Sequence, residues 1–544
     1  MIGVAHRRIV WIMALFAAGV LLVALKLVYY GLSANGPAAN SPFVSVRARA
    51  DITDRNGVPL AQTIDAWSIA VRPQALVNDP AALAPRLHDL LPERTEAEYR
   101  RLLTGKRRFV YLRRRALPEL IDRINALGEP GIVVETEPER LYPQATLGAH
   151  VLGYNNIDNH GLAGMERVLD DRLIDPARLD QPVALSIDSR VQAAMESELY
   201  GAMTRQRAIG ATGLVLDVHT GEVLALASLP VYNPNKIDGS PVEARRNNVT
   251  QSVYELGSTF KPLTIAHALD QGSTRLNRRY DATGPISIGR FKINDDHSQH
   301  RWLNPVETLV HSSNIATARI ADEAGAAQMQ ALFRSLGFDA APHIELKERG
   351  TTLWPVNWAR VTTMTTSYGH GIAVTPLHLA SAYAALVNGG IWRPSTLLRQ
   401  EPGRAPRGRR VFSRHTSDVM RSLLRLVVLE GTGKNANAPG LRVGGKTGTA
   451  EKAGAGGYSR SKNVSTFAAA FPMDAPRYVV LAMLDAPRGS AESFGLTTAG
   501  WTAAPVVGRV VSRIGPMLGI YPDQRIEPEL ERYRQLLWKP KAER

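Results

Sequence analysis

The chain has 544 residues, 44% apolar and 21% charged, carries a formal net charge of +15 and contains no cysteine. That length holds two or three domains and at least one large core. The missing thiols exclude a disulfide framework, a cysteine nucleophile and any cysteine-ligated metal. The positive balance favours acidic partners. Its two dense clusters, KRRFVYLRRR at 106–115 and RAPRGRR at 404–410, read as solvated surface. No zinc-finger, RRM or KH signature accompanies them, so nucleic acid is not among the expected partners.

The chain opens with MIGVAHRR, followed by IVWIMALFAAGVLLVAL, 17 residues without a charge. As a helix, residues 9–32 reach about 36 Å at ~1.5 Å per residue, enough for a hydrocarbon layer of about 30 Å. Arg7 and Arg8 keep residues 1–8 in the cytoplasm by the positive-inside rule and place the remainder outside. Tyr29 and Tyr30 resemble interfacial anchors more than a cleavage site. SANGPAANSP (33–42) is a polar linker.

From 33 to 182, short strand-like runs alternate with polar helices, and no catalytic cluster is visible. RLHDLLPERTEAEYRRLLTG (86–105) reads as helical. YLRRRALPELIDRINALGEPG (111–131) reads as a helix stopped at Gly128 and Pro130. From 183 to 520 the pattern changes. TGLVLDVHTGEVLALAS (212–228) is a hairpin around HTGE. PLHLASAYAALVNGG is a helix stopped by Gly389 and Gly390. STFAAAF and YVVLAMLDA flank PMDAPR as an antiparallel pair, and 504–520 is a closing helix. Strands at both ends with helices between them predict an α/β (α+β) domain with a mainly antiparallel sheet. Residues 521–544 read as a peripheral tail.

Three short motifs carry the chemistry. Ser258 and Lys261, in LGSTFKPL, form a Ser-x-x-Lys pair able to act as nucleophile and base. A second pair, Ser459–Lys462, lies in AGAGGYSRSKN and reads as a flexible loop. Ser258 follows a glycine and precedes an apolar helical run, where backbone N–H groups can meet an oxyanion; Pro262 fits only near a first turn. The second motif is Ser312-Ser313-Asn314 (LVHSSNIATARIA), which would place Ser312 to relay a proton and Asn314 to hold an amide. The third is GGKTGTAE, where Lys446 can depress the pKa of a nearby lysine base. Its hydroxyls on Thr447 and Thr449 would share one side of a strand around Gly448 and suit a carboxylate. His297 and His300 lack a zinc-hydrolase spacing, so no metal is expected.

The ordered set, with Ser312 54 residues beyond Ser258 and Lys446 134 beyond Ser312, resembles the penicilloyl-serine transferases: the penicillin-binding proteins and serine β-lactamases. RADITDRNGVPLA (49–61), with Ala50 where the family usually has glycine, resembles the pedestal of class B penicillin-binding proteins. So do FVYLRRR, ERLYP and the Gly161-x-x-Gly164-x-Glu166 signature. SSN and SYGHG favour the division-specific (septal) branch over the elongation branch; the anchor, pedestal and length argue against a β-lactamase, and the cytoplasmic stretch of only about eight residues expected from residues 1–8 argues against a β-lactam sensor.

The resemblance implies a D,D-transpeptidase that cross-links peptidoglycan stem peptides ending in D-Ala-D-Ala, is inhibited by β-lactams and needs no cofactor. Its implied site is Ser258, Lys261, Ser312 and Lys446 for catalysis, with Asn314, Thr447, Gly448 and Thr449 for substrate. Backbone N–H groups of Ser258 and Thr449 are the implied oxyanion hole. The implied location is the inner membrane at the division site, single-pass, with the catalytic domain periplasmic. The implied partners are a septal polytopic glycosyltransferase and bitopic division proteins. Asp295 and His297 fit a family-like Ile-x-Asp-x-His stretch and read as structural.

Overall fold

The computed structural model describes residues 2–33, 48–116, 118–401, 403–454, 457–527 and 529–538. Most of the expected linker at 33–42 lies outside the described residues. An N-terminal helix, Ile2–Ser33, runs for 32 residues. Its described side chains are continuous only over 10–26, and large apolar ones among them are exposed. Among the described residues, no helix is long and apolar enough to cross a membrane.

The chain divides into two compact units, residues 1–46 with 65–137, and residues 47–64 with 138–544. The chain crosses between these two units near 65 and near 137. In the first unit, the strand Val110–Ala116 pairs antiparallel with Trp67–Val71, and three helices, Pro80–Leu90, Glu96–Leu103 and Pro118–Asn125, accompany it. Two sequence expectations are corrected here. The stretch 86–105 is two helices, because Pro92 cannot continue the first and Thr95 starts the second with a capping box to Glu98. The stretch 111–131 begins as a strand. Val110 and Leu112 are buried in alternation with half-buried Tyr111 and Arg113, and only Arg115 of the three arginines is exposed; a helix starts only at Pro118, where a proline is tolerated.

The second unit is built on a five-stranded antiparallel sheet: β1 (Gly210–Asp217), β2 (Val223–Leu229), β3 (Gly444–Gly454), β4 (Gly457–Phe471) and β5 (Tyr478–Asp485), in the order β3-β4-β5-β1-β2. Strands β1 and β5 are buried along almost their whole length, as expected for a sheet covered on both faces. On one face lie α1 (Ser189–Arg205) and α5 (Ala503–Met517), whose Val191, Leu199, Val507 and Val511 share a core with Val480 and Leu484. The other face meets a larger, mainly helical core that includes α2 (Lys261–Asp270) and α4 (Pro376–Val387). The Ser459–Lys462 segment is part of β4, where Ser459 pairs with Lys452. It is strand and not loop, because the β3–β4 ladder continues to Gly454 and Gly457.

The C-terminal segment is also not peripheral. Tyr533 is buried, Asn304 donates to the Leu536 carbonyl (2.7 Å), and Trp538 donates its backbone N–H to Glu307 (2.9 Å). Arg301 lies over the Trp538 ring at 5.2 Å. Apolar anchors spaced along a charged stretch hold this segment, and composition alone hides them.

A buried ion network joins distant parts of the second unit. Glu166, fully buried, accepts from Arg49 Nε (3.0 Å) and from Arg140 Nε (2.7 Å), and Arg49 also reaches Asp170 (2.6 Å). Breaking such a network leaves an uncompensated buried charge and costs about 3–5 kcal/mol. Glu166→Ala is therefore expected to lower the unfolding free energy of this unit by about that amount. Thermal or denaturant unfolding checks it, and an unchanged midpoint would contradict it.

Candidate active site

Ser258 does not open the long helix. It sits on a single 3₁₀ turn, Gly257–Phe260, and α2 begins at Lys261, whose N–H donates back to the Ser258 carbonyl. Pro262 follows at the start of α2, where its missing N–H costs nothing. The turn is wedged between backbones. A Cβ on Gly448 of β3 would lie 2.3 Å from the Leu256 carbonyl oxygen, and one on Gly369 would lie 2.3 Å from that of Gly257. Behind the turn, the buried Tyr383 of α4 donates its hydroxyl to the Thr259 carbonyl at 2.9 Å. Ser258 is left partly exposed between buried neighbours.

The second segment is a sharp turn between the helices α3 (Pro305–Val310) and Asn314–Ala324. Ser312 has φ +59°, a left-handed conformation that residues with a Cβ adopt at a cost of order 1–3 kcal/mol. Ser313 caps the second helix, accepting from the Ala316 N–H at 3.0 Å. Asn314 donates its amide to the Asn294 carbonyl at 2.9 Å.

The third segment is β3. Lys446 and Lys261 are both fully buried and converge on Ser312. Lys446 Nζ lies 2.9 Å and Lys261 Nζ 3.1 Å from Ser312 Oγ, and Lys261 also donates to the Ser312 carbonyl. Lys446 further donates to the carbonyl (3.1 Å) and the hydroxyl (3.1 Å) of Thr447. Thr447 Oγ1 is 2.7 Å from Thr432 Oγ1, and Thr449 Oγ1 accepts the Ala499 N–H at 3.0 Å. The two threonine hydroxyls thus face the segments around 432 and 499, and Gly448 faces the Ser258 turn.

Burial takes the Lys261 ammonium out of water and pushes its pKa down to about 7, against the opposing pull of Asp295 and Asp296. Burial also drives the Lys446 pKa well below its ordinary range, and the charge of Lys261 adds to that effect. An amine near neutrality, one helical turn from a partly exposed hydroxyl and bridged to a second amine by a second hydroxyl, can carry protons without any metal. Among the described residues, no group of His, Asp or Glu forms a metal cluster.

The structure therefore brings Ser258, Lys261, Ser312, Lys446, Thr447, Gly448 and Thr449 to one locus, with Asn314 on the rim. Sequence reasoning missed Thr432, in an unremarkable GTG, and the 497–500 segment that covers the threonines. Neither carries a local signal, since each matters only by facing β3.

Residues 211–508 match the penicillin-binding protein transpeptidase domain, and residues 45–174 match the penicillin-binding protein dimerisation domain. The chain belongs to the penicillin-binding protein transpeptidase family, in its FtsI-type, class B branch. It is 42% identical over 483 residues to a probable peptidoglycan D,D-transpeptidase FtsI of Caulobacter vibrioides, covering 87% of this chain and 82% of that protein. It is 32% identical over 513 residues to the peptidoglycan D,D-transpeptidase FtsI of Escherichia coli, covering 88% and 84%. In fold it is similar to penicillin-binding protein 3 of Mycobacterium tuberculosis, solved in complex with aztreonam: TM-score 0.70, 24% identity, covering 89% of this chain and 98% of that one.

Gly448→Ala is expected to push β3 off the Ser258 turn. Overpacking of this kind costs roughly 1–3 kcal/mol. The variant should unfold at lower temperature than the parent, and an unchanged melting temperature would show that the wedge can relax.

Proposed function

We propose that this protein is a peptidoglycan D,D-transpeptidase acting through a serine acyl-enzyme at the division septum. The observation that supports it best is the convergence of Lys261 and Lys446 on Ser312, beside the turn that presents Ser258. Ser258 Oγ attacks the penultimate D-Ala carbonyl of a D-Ala-D-Ala donor, and neutral Lys261 takes its proton. The oxyanion is met by backbone N–H groups, for which Ser258 and Thr449 are the candidates. As the tetrahedral intermediate collapses, the C–N bond breaks. Ser312, between the two amines, passes a proton to the departing D-Ala nitrogen. Thr447 and Thr449 hold the donor carboxylate with Lys446 nearby, Gly448 lets β3 approach the turn, and Asn314 holds the donor amide. A stem-peptide amine then attacks the acyl-enzyme, forms the cross-link and returns Ser258 to its free state. β-Lactams would acylate Ser258 as substrate mimics.

The uncharged run 9–25 within the helix Ile2–Ser33, with Arg7 and Arg8 before it, supports a single-pass inner-membrane anchor with a periplasmic catalytic domain. In this reading residues 33–182 are the pedestal, 183–520 the transpeptidase domain, and 521–544 a C-terminal tail whose Leu536 and Trp538 backbones hydrogen-bond to it. A septal glycosyltransferase and bitopic division proteins are the partners this branch implies.

Mass spectrometry of the detergent-solubilised full chain after labelled penicillin should locate one adduct on the peptide carrying Ser258, and Ser258→Ala should abolish it. Labelling elsewhere would overturn the assignment, and rapid turnover of penicillin would indicate a β-lactamase. Acylation should also depend on pH. Lys261 accepts a proton only when neutral, so with a pKa of about 7 the rate should be low in acid, rise through pH 7 and level off above it. A flat profile between pH 5.5 and 8.5 would remove Lys261 as the base.

A further inference from the structure

The Ser312 turn is strained, yet both amines depend on where it points. Much of what holds it from outside comes from one short stretch that follows the hairpin Ile286–Ile293. Asp295 Oδ2 accepts from Ser313 Oγ at 2.7 Å, and Asp295 Oδ1 accepts from the Ile315 N–H at 2.9 Å. The neighbouring Asn294 carbonyl accepts the Asn314 side-chain amide at 2.9 Å. Three consecutive residues of the turn and its helix, Ser313, Asn314 and Ile315, are thus fastened to two consecutive residues of the hairpin exit. Ser313 Oγ both donates to Asp295 and accepts from Ala316, so its rotamer is fully committed.

We infer that Asp295 is a positioning residue: its carboxylate clamps the Ser313–Ile315 segment and so fixes the Ser312 hydroxyl between Lys261 and Lys446. The inference rests on the transpeptidase reading above, for which Ser312 is the proton relay. A charged acceptor makes the stronger hydrogen bond to the hydroxyl and to the helix N–H, and it meets one of the backbone donors left free at that helix start, the Ile315 N–H. The positional tolerance of such a relay is small: a displacement of about 1 Å can lower a rate about 10²-fold.

The same carboxylate acts at a distance on the base. The charged groups acting on buried Lys261 are Asp295 and Asp296, both favouring its ammonium form, and Lys446 across Ser312 Oγ. Removing the Asp295 charge removes part of the support for that ammonium, so the Lys261 pKa falls. Shape and charge can then be separated. Asn at 295 keeps the acceptor for the Ile315 N–H and an amide against Ser313 Oγ but carries no charge, whereas Ala keeps neither.

The test is the second-order rate of acylation by a fluorescent penicillin, across pH, on the detergent-solubilised full chain. Acylation of the parent at Ser258 checks the transpeptidase reading by itself; the variants, measured relative to that parent, check the clamp. Asp295→Ala should acylate roughly tenfold more slowly or worse. Ser313→Ala, which removes the same hydrogen bond from the other side, should also be slow, and the double variant should be little slower than Asp295→Ala. Asp295→Asn should keep most of the rate while the acidic limb of its pH profile moves to lower pH. A purely structural residue would not move that limb. Parent-like rates in Asp295→Ala would overturn the clamp, as would fully additive losses in the double variant or an unmoved limb in Asp295→Asn. If Asp295→Ala does not fold, Ser313→Ala and Asp295→Asn decide the matter by the same criteria.

Discussion

Two amines removed from water and aimed at one hydroxyl set the terms for this molecule. Lys261 and Lys446 have no exposed surface, and both donate to Ser312 Oγ. Two full charges so close in a dry site repel each other and forgo hydration, so the arrangement drives basicity down and makes proton exchange near neutral pH possible. That state exists only while three pieces of chain stay within hydrogen-bonding reach: the start of α2, the Ser312 turn and the edge strand β3. None of the three is held by its own local structure alone. The turn is left-handed at Ser312, β3 pairs on one side only among the described residues, and the Ser258 turn is a single 3₁₀ turn.

The rest of the second unit supplies the missing restraint. The sheet β3-β4-β5-β1-β2 holds β3 through its ladder to β4, and the absence of a side chain at Gly448 lets that strand lie against the Ser258 turn. Tyr383 fixes the turn from behind. The Ser312 turn is clamped from one side by Asn294 and Asp295. From the other, α3 is tied at Asn304 and Glu307 to the C-terminal segment. Residues more than two hundred positions apart in sequence thus share the task of holding one hydroxyl.

Much of the site was legible because its chemistry is packed into three short motifs with distinctive neighbours. A glycine before Ser258, an apolar run after it and Thr-Gly-Thr after Lys446 each report a local backbone requirement. The hairpin at 212–228, the helix ending at Gly389 and Gly390 and the last antiparallel pair were readable for the same reason, since turn glycines and apolar periodicity are local signals. Elsewhere local composition misled. Ser459 stands in a glycine-rich run that nevertheless continues the β3–β4 ladder, because cross-strand pairing outweighs the flexibility of the run itself. The stretch 111–116 has helix-compatible residues, yet pairing with Trp67–Val71 makes it a strand. The C-terminal charges masked Tyr533 and Trp538, which pack onto the domain.

By itself the sequence determined the order of the motifs, the family resemblance, the identity of the nucleophile candidate and its lysine, and the class of fold. These depend on residue type and near-neighbour spacing, which a linear chain displays directly. Tertiary structure alone decided that both lysines meet the same hydroxyl and that Ser312 is held in a left-handed turn. It also decided that Glu166 joins Arg49 to Arg140, and that Asp295, Thr432 and the segment around Ala499 close around the motifs. Each of those facts is a contact between residues far apart in the chain, and contacts of that kind exist only once the sheet and helices have brought them within a few ångströms.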